Sequence, residues 1–308
     1  MSEIKAHETE ILGCSTNINR VLLLIKKIAQ GDQNVLIYGE TGTGKNLTAK
    51  KIHELSRKRN QPFLTINCAN IPEELFEAEL FGYGKGAYTG AVKEKKGLLE
   101  TAGEGVVFLD EIGELPVRLQ AKMLQTIENR EFRRVGETRS RKIGVRFIFA
   151  TNKNLQDEVA RGQFRKDLYY RINVVSVRLP PLRYRKDDIP LLVDTFLKRK
   201  RLAEVRNGVR PISTGAMKKL MVYDYPGNVR ELENIIARAA LLKEGKIIRA
   251  EDIKFDQATD DYRKRTEITP RRLQEALERC RWNKTLAAQE IGKSRRQFYR
   301  LLKKFELD

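Results

Sequence analysis

The segment that most constrains this chain is Gly39-Glu40-Thr41-Gly42-Thr43-Gly44-Lys45, with Asn46 directly after it. It stands between a short apolar run, Val35-Leu36-Ile37-Tyr38, and a stretch with helical spacing. A glycine-rich turn that leaves a strand and opens a helix lets successive backbone N–H groups wrap a phosphate, and the helix N-terminus favours negative charge. The lysine that ends it reaches the β- and γ-phosphates. The spacing alone is a weak signal, and a glycine turn without a ligand is the bland alternative. The strand before and the helix after make the segment point to a nucleotide. The hydroxyl commonly found after such a lysine is absent, and Asn46 holds its place.

Four more apolar or β-branched runs follow, at 63–66, 106–109, 145–150 and 174–177. They are continuous rather than alternating, which fits a parallel sheet buried on both faces, with helices between the strands. Leu179-Pro180-Pro181-Leu182 breaks the pattern, and helical spacing then dominates over 189–202, 214–221 and 229–243. The expected organisation is an α/β nucleotide-binding core over 1–180, an all-α region over 181–256, a polar linker without periodicity over 257–268, and a small all-α module over 269–308.

Phe108-Leu109-Asp110-Glu111 ends one of the buried strands with two carboxylates, at the edge of an α/β sheet where ligands bind. Asp110 is expected to hold Mg²⁺ and Glu111 to polarise an attacking water; a solvated strand end is the bland alternative. Asn67 ends the neighbouring strand and could hold Glu111 by a hydrogen bond, and Thr151-Asn152 could sense a γ-phosphate. Either could equally be ordinary strand-end capping. With only two histidines and three dispersed cysteines in 308 residues, a histidine triad, a zinc site and a disulfide framework are all disfavoured, and the thiols read as buried and inert. No apolar run approaches the roughly 20 residues that span a bilayer, and the polar start does not resemble a signal peptide, so the expected location is the cytoplasm.

The net charge is +19, and residues 262–308 are the densest part, with 14 Lys/Arg against 6 Asp/Glu. Nucleic acid is the natural partner of such a segment, with mere solubility as the alternative. Thr269 and Pro270 open a helix with Leu273, Ala276, Leu277 and Cys280 on one face. Asn283 can cap a second helix carrying Leu286, Ala287 and Ile291, and Ser294 and Gln297 form a capping box for a third with Phe298, Leu301, Leu302 and Phe305 inward. The outer face of the third helix shows Arg295, Arg296, Gln297, Tyr299, Arg300, Lys303 and Lys304. This is a helix-turn-helix arrangement for DNA; a basic protein-docking bundle is its alternative.

Over nearly its whole length, from Ile11-Leu12-Gly13 onward, the chain resembles the sigma-54-dependent transcriptional activators, a clade of AAA+ ATPases. GETGTGK (39–45) is close to the family's GESGTGK, FLDEIGEL (108–115) matches its acidic strand end, and GAYTGA (86–91) differs at one position from its GAFTGA loop. GQFRKDLYYRINV (162–174), LPPLR (179–183) and YPGNVREL (225–232) resemble its arginine-finger, lid and second sensor segments. The last 40 residues are similar to Fis-type domains, which usually dimerise.

The resemblance implies an AAA+ core with a helical lid, ATP and Mg²⁺ as cofactors, and enhancer DNA and sigma-54 RNA polymerase as partners. It implies that Arg165 and Arg171 are fingers inserted into a neighbouring subunit's site in a ring, usually a hexamer, and that Arg230 reaches the nucleotide from the lid. For all three arginines a surface salt bridge is the bland alternative. Gly86, Ala87, Tyr88, Thr89, Gly90 and Ala91 would touch the sigma factor; their glycines permit a mobile loop that presents an aromatic ring. The departures from the family pattern are Asn46 for Glu, Tyr88 for Phe, Gly84 for an acidic residue, Tyr184 for Glu and Tyr225 for Trp. The rival reading is a DNA-binding repressor whose ATPase module is degenerate or only a switch. Because the core begins almost at the first residue, no sensor domain is expected before it, and inhibition would then fall to a separate protein acting in trans.

Overall fold

The structure, a computed structural model, describes residues 11–88, 91–199, 211–255, 270–280, 282–291 and 295–305. The chain divides into two compact units, Met1–Lys254 and Phe255–Asp308. The expected linker over 257–268 lies outside the described residues.

In the first unit, α1 (Thr16–Ala29) is N-capped by Ser15, whose hydroxyl accepts from the Ile18 amide, and buries Ile18, Val21, Ile25 and Ala29 along one stripe. Its last carbonyls are taken by a buried arginine: Arg146 donates to Ala29 and Ile28 oxygens at 3.0 and 2.8 Å. Then come β1 (Val35–Tyr38), α2 (Lys45–Glu54), β2 (Phe63–Asn67), α3 (Glu73–Phe81), the two-residue strands β3 (Gly82–Tyr83) and β4 (Lys95–Lys96), α4 (Leu98–Ala102) and β5 (Val106–Asp110). They are followed by α5 (Val117–Asn129), β6 (Glu131–Arg133), β7 (Ser140–Lys142), β8 (Arg146–Thr151), α6 (Leu155–Ala160), α7 (Lys166–Ile172) and β9 (Val175–Arg178). Among the described residues the unit ends with three helices, α8 (Ile189–Arg199), α9 (Thr214–Val222) and α10 (Asn228–Leu242).

Five strands form one parallel sheet in the order β2-β5-β8-β1-β9. Alternate residues feed two cores. Leu36, Val107, Leu109, Phe147 and Phe149 pack with α3 and α5 on one face; Val35, Ile37, Val106, Phe108 and Ile148 pack with α1 and α2 on the other. Only β5, β8 and most of β1 are buried residue by residue, as a doubly covered parallel strand should be. The edge strands β2 and β9 keep partial exposure, so burial on both faces holds for the centre of the sheet and fails at its margins. The register aligns Tyr38 with Thr151 and Asn67 with Asp110, which brings the P-loop, Asp110 and Thr151 to one edge. Two antiparallel pairs, β3–β4 and β6–β7, stand outside the main sheet.

Tyr225 fills its buried position fully and donates its hydroxyl to Leu220 O at 2.8 Å, so a phenol satisfies the site. Tyr184 is exposed, with the Arg183 guanidinium 5.0 Å from its ring centroid.

In the second unit, α11 (Pro270–Arg279), α12 (Lys284–Glu290) and α13 (Arg295–Lys304) surround Leu273, Ala276, Leu277, Ala287, Ala288, Phe298 and Leu302. Asn283 caps α12, its side-chain oxygen accepting from Thr285 and Leu286 amides at 3.1 and 3.2 Å. Leu286, expected inside, is exposed, and Ala288 takes the core position: the helix turns its smaller side chains inward. The Ser294 cap falls outside the described residues. Of the thiols only Cys68 is buried, and Cys14 is exposed, contrary to expectation. Among the described residues no helix is long and apolar enough to cross a membrane.

Candidate active site

The turn after β1 carries Gly42 and Gly44 in the left-handed region, at φ 79° and 105°. A Cβ on Gly42 would lie 2.1 Å from the Gly227 carbonyl oxygen, so the glycine is required by a close approach as well as by its torsion. Lys45 opens α2 almost fully buried. Its ammonium donates to Gly39 O at 3.1 Å and pairs with Glu111 Oε1 at 3.1 Å. Glu111 itself is left-handed (φ 51°), a sharp bend that lets the strand end and still returns its carboxylate to the lysine. The other carboxylate oxygen accepts from the Asn152 amide at 3.2 Å, and Asn152 Nδ2 donates to Thr41 Oγ1 at 3.3 Å. Asp110 is buried and its Oδ1 accepts from the Glu111 amide at 3.0 Å. Burial first, then the Glu111 charge, push its carboxyl above the usual range; Lys45 and a hydrogen bond from Asn46 oppose the shift.

Lys45, Asp110, Glu111, Thr41 and Asn152 are thus brought together. Asn67 differs from expectation. Its side-chain oxygen accepts from the Ala69 amide at 2.9 Å, a local turn, and the Glu111 carboxylate is held by Lys45 and Asn152. The strand-end alternative describes Asn67 in this state.

Residues outside the expected set fix the loop from the lid side. Arg183 grips both carboxylate oxygens of Glu40, at 2.7 and 2.5 Å. Asn228, fully buried, donates to Glu40 Oε2 at 3.2 Å and Thr41 O at 3.0 Å while accepting from the Leu182 amide at 2.8 Å. Arg185 donates to Thr43 O at 3.1 Å, and Asp188 takes the amides of Cys14 and Ser15, both at 2.7 Å. Thr43 Oγ1 turns back to Glu40 O at 2.6 Å. Glu40 therefore ties the loop to the lid, and Arg183 holds its carboxyl below the usual range. Among the missed residues, Arg183 and Asn228 stand inside the LPPLR and YPGNVREL segments, which mark the region without marking the partner.

The three arginines are separated. Arg230 opens α10 with its Cβ beside the P-loop: it is 3.2 Å from where a Gly42 Cβ would stand. Arg171 has its carbonyl on Asn34 Nδ2 at 3.2 Å, next to the start of β1. The P-loop is at the other end of that strand, about 13 Å away, beyond the reach of one side chain. Arg165 is exposed and paired with Asp167 at 2.7 Å.

The GAYTGA segment projects from the β3–β4 pair. Gly84 donates to Val135 O at 3.0 Å and Val135 to Gly82 O at 2.9 Å, which braces the stem against the β6–β7 pair. Gly86 donates to Ala91 O at 2.8 Å. Tyr88 is half exposed, edge-on to Tyr83 at 5.1 Å between ring centroids. Thr89 and Gly90 lie outside the described residues. In the second unit Tyr299, Arg300 and Lys303 are exposed on α13, and Lys284 Nζ sits 5.4 Å from the Tyr299 ring centroid. The side chains of Arg295, Arg296, Gln297 and Lys304 are outside the described set.

A family model for the sigma-54 interaction domain matches residues 11–178, one for the AAA+ ATPase lid domain matches 183–270, and one for the Fis family of bacterial regulatory proteins matches 267–305. The transcriptional regulatory protein GlrR of Escherichia coli is 42% identical over 297 residues, covering 94% of this chain and 66% of its own length. The response regulator protein PilR of Pseudomonas aeruginosa is 39% identical over 317 residues, covering 98% of this chain and 71% of its own. The chain therefore spans about two thirds of the length of these relatives. The crystal structure of NtrX from Brucella abortus in complex with ATP superposes with a TM-score of 0.73 at 31% identity, over 99% of this chain and 71% of that one. With the phosphate loop, the paired carboxylates and the GAYTGA segment on one scaffold, this chain belongs to the sigma-54 interaction family of AAA+ ATPases, with a Fis-family helix-turn-helix following the lid in sequence.

Proposed function

We propose that the chain hydrolyses ATP to remodel closed complexes of sigma-54 RNA polymerase while held to enhancer DNA by its C-terminal module. The observation that carries this is the joint placement of Lys45, Asp110, Glu111 and Asn152 at one sheet edge, in a chain that also bears the GAYTGA loop. NtrX was crystallised with ATP and with ADP, which supports the same ligands here.

With the nucleotide bound, Lys45 is drawn to the β- and γ-phosphates. That releases Glu111 from its ion pair and leaves the carboxylate to orient and deprotonate a water for attack on the γ-phosphate. Asn152, bonded to both Glu111 and Thr41, would report the phosphate to the base, and these two bonds support that role. Asp110 and the Asn46 carboxamide offer hard oxygen donors that fit Mg²⁺. Among the described residues no cluster of three or more His, Cys, Asp or Glu side chains could hold a metal, so phosphate and water oxygens would complete the shell. Magnesium would supply charge neutralisation of the phosphates.

Arg171 lies at the far strand end from its own P-loop, which supports action on a neighbouring subunit's nucleotide and hence a ring. Arg165 would have to exchange Asp167 for a phosphate to act likewise. A guanidinium acting in trans is worth about three orders of magnitude or more in rate. The repressor reading needs a module that is degenerate or only a switch; intact Lys45, Asp110 and Glu111 speak against the first, and the open-complex test decides the second. The test is open-complex formation on an enhancer-bearing promoter with purified chain, sigma-54 polymerase and ATP. Opening that depends on hydrolysable ATP is expected; ATP turnover without any opening would refute the function.

A further inference from the structure

Among the described residues, five that are not glycine have a left-handed backbone: Glu111, Arg130, Tyr225, Asn228 and Trp282. For a bulky side chain that conformation is strained, and it persists only where something holds it. Four of the five have a visible reason. Glu111 pairs with Lys45, Arg130 donates to Val145 O at 2.7 Å, Tyr225 is buried and bonded, and Asn228 bridges lid and P-loop. Trp282 is the exception. Its amide closes the end of α11 on Leu277 O at 2.7 Å, but among the described residues its indole has no hydrogen-bond, ring or cation partner and is 59% exposed. It is also the only tryptophan in the chain. A glycine would make the same turn without strain.

The surroundings of the ring say what it meets. Trp282 precedes Asn283, the cap of α12, and in a helix-turn-helix the first helix crosses the nucleic-acid backbone while the second lies in the groove. Two residues on, Lys284 reaches over Tyr299 of α13, so the approach to α12 shares a surface with the exposed polar side of α13. The segment around it is strongly basic. An exposed apolar ring in a stretch of sequence rich in Arg and Lys suits a partner that is anionic yet offers apolar sugar faces. We infer that Trp282 packs its indole against the sugar–phosphate backbone of bound duplex DNA, beside the groove read by α13. This rests on the DNA-binding reading of the module and extends its footprint to the turn between α11 and α12.

Because the tryptophan is unique, its fluorescence is a direct reporter in the unmodified full-length chain. Unlabelled mixed-sequence duplex of about 30 base pairs at low salt is titrated while indole emission and acrylamide quenching are followed. Anisotropy of the same duplex carrying a dye is measured in parallel. The expected result is that emission changes, and quencher access falls, in step with anisotropy.

Trp282→Gly should weaken DNA binding about five- to tenfold without lowering thermal stability, and Trp282→Phe should retain most of the affinity. The indole carries no charge, so the slope of log affinity against log salt should stay put in Trp282→Gly, whereas Lys303→Ala should reduce it by about one. A rise in anisotropy with unchanged indole emission overturns the inference and leaves DNA binding standing. So does an emission change driven by protein concentration without DNA, which would give the ring to a second copy of the chain. Wild-type affinity in Trp282→Gly overturns it as well. No anisotropy rise at all overturns the DNA reading and this one with it.

Discussion

The P-loop and the GAYTGA loop both turn on glycines, yet they are built in opposite ways. Around the P-loop almost every polar group is spoken for. Glu40 has Arg183 and Asn228, Thr43 O has Arg185, Gly42 O has the Val229 amide, and Lys45 has Gly39 and Glu111. The GAYTGA segment has backbone bonds of its own, from Gly86 to Ala91 O and from Ala91 to Tyr88 O, and a stem held by the β3–β4 pair and the bonds to Val135, but it leaves the side chains of Tyr88 and Val92 exposed. A site that must hold phosphates to a fraction of an ångström gains from preorganisation. A segment that must grip a partner and then let go gains from side chains left in solvent. On the proposed function the first does the chemistry and the second is the output, and variants in each should separate the two activities.

The largest effect belongs to the carboxylate paired with the P-loop lysine. Glu111→Gln keeps the shape but removes the base, so ATP turnover should fall by about two to four orders of magnitude while ADP affinity stays within about threefold. Steady-state phosphate release and an equilibrium nucleotide titration check both halves. Turnover within tenfold of the parent would remove Glu111 from the chemistry and with it the assignment of the P-loop edge as the engine.

Tyr88→Ala should act in the opposite sense. The ring touches Tyr83 and otherwise faces solvent, so ATPase activity should remain within about twofold while open-complex formation drops by more than tenfold. Parallel loss of both activities would erase the distinction between the two loops. Equal activity in both assays would move the sigma contact to another residue of the segment.

A smaller effect is expected where the P-loop meets the lid. Glu40 and Arg183 are both partly exposed, so solvent screening trims the value of their bidentate pair. Glu40→Arg should weaken ADP binding about three- to tenfold through a looser loop, and so should Arg183→Glu. The double exchange should recover part of that loss, because it restores opposite charges across the same gap. Additive losses in the double variant would mean that the two side chains act separately, and the P-loop would owe its order to its own glycines.

Much of this architecture was legible in the sequence because period and punctuation carry it. Five short apolar runs became the five strands of the sheet, and Gly, Asn or Asp residues marked many of their ends. What escaped depends on partners distant in sequence. The β3–β4 and β6–β7 pairs have only two and three residues per strand, too short for any alternation to register. The roles of Arg183, Arg185 and Asp188 arise from contacts across more than 140 residues, and a lone charged residue gives no hint of such a partner. Asn67 was visible as a strand end, but which of its two roles it takes depends on where the Glu111 carboxylate points, and that is set by a left-handed bend no pattern announces. Leu286 shows the limit of periodicity in a helix of two turns, where one position of drift exchanges inside for outside.

The smallest expected effect tests how rigidly the P-loop helix is seated behind the site. His53 lies on the buried side of α2, stacked on Phe63 at 5.1 Å between ring centroids, and its Nδ1 is buried without a hydrogen-bond partner. Burial is the main reason its imidazole is held below the ordinary value near 6.5; Glu54 pulls the other way and Arg146 adds to the depression. The unfolded chain therefore takes up a proton at a pH where the folded chain does not. Stability from this residue is fully present above about pH 6.5, falls as pH drops through that value, and stops falling once the folded imidazole also protonates, with a slope of at most about 1.4 kcal/mol per pH unit. Asp110, whose carboxyl is raised, contributes with the opposite sign at lower pH, so the effect of His53 has to be isolated by subtraction. The melting temperature of the parent should fall between about pH 7.5 and 5.5 by a few degrees more than that of His53→Gln. An equal fall in the two proteins would show that α2 admits a charged imidazole or water at this position. The helix that carries Lys45 would then be less tightly packed than the loop in front of it.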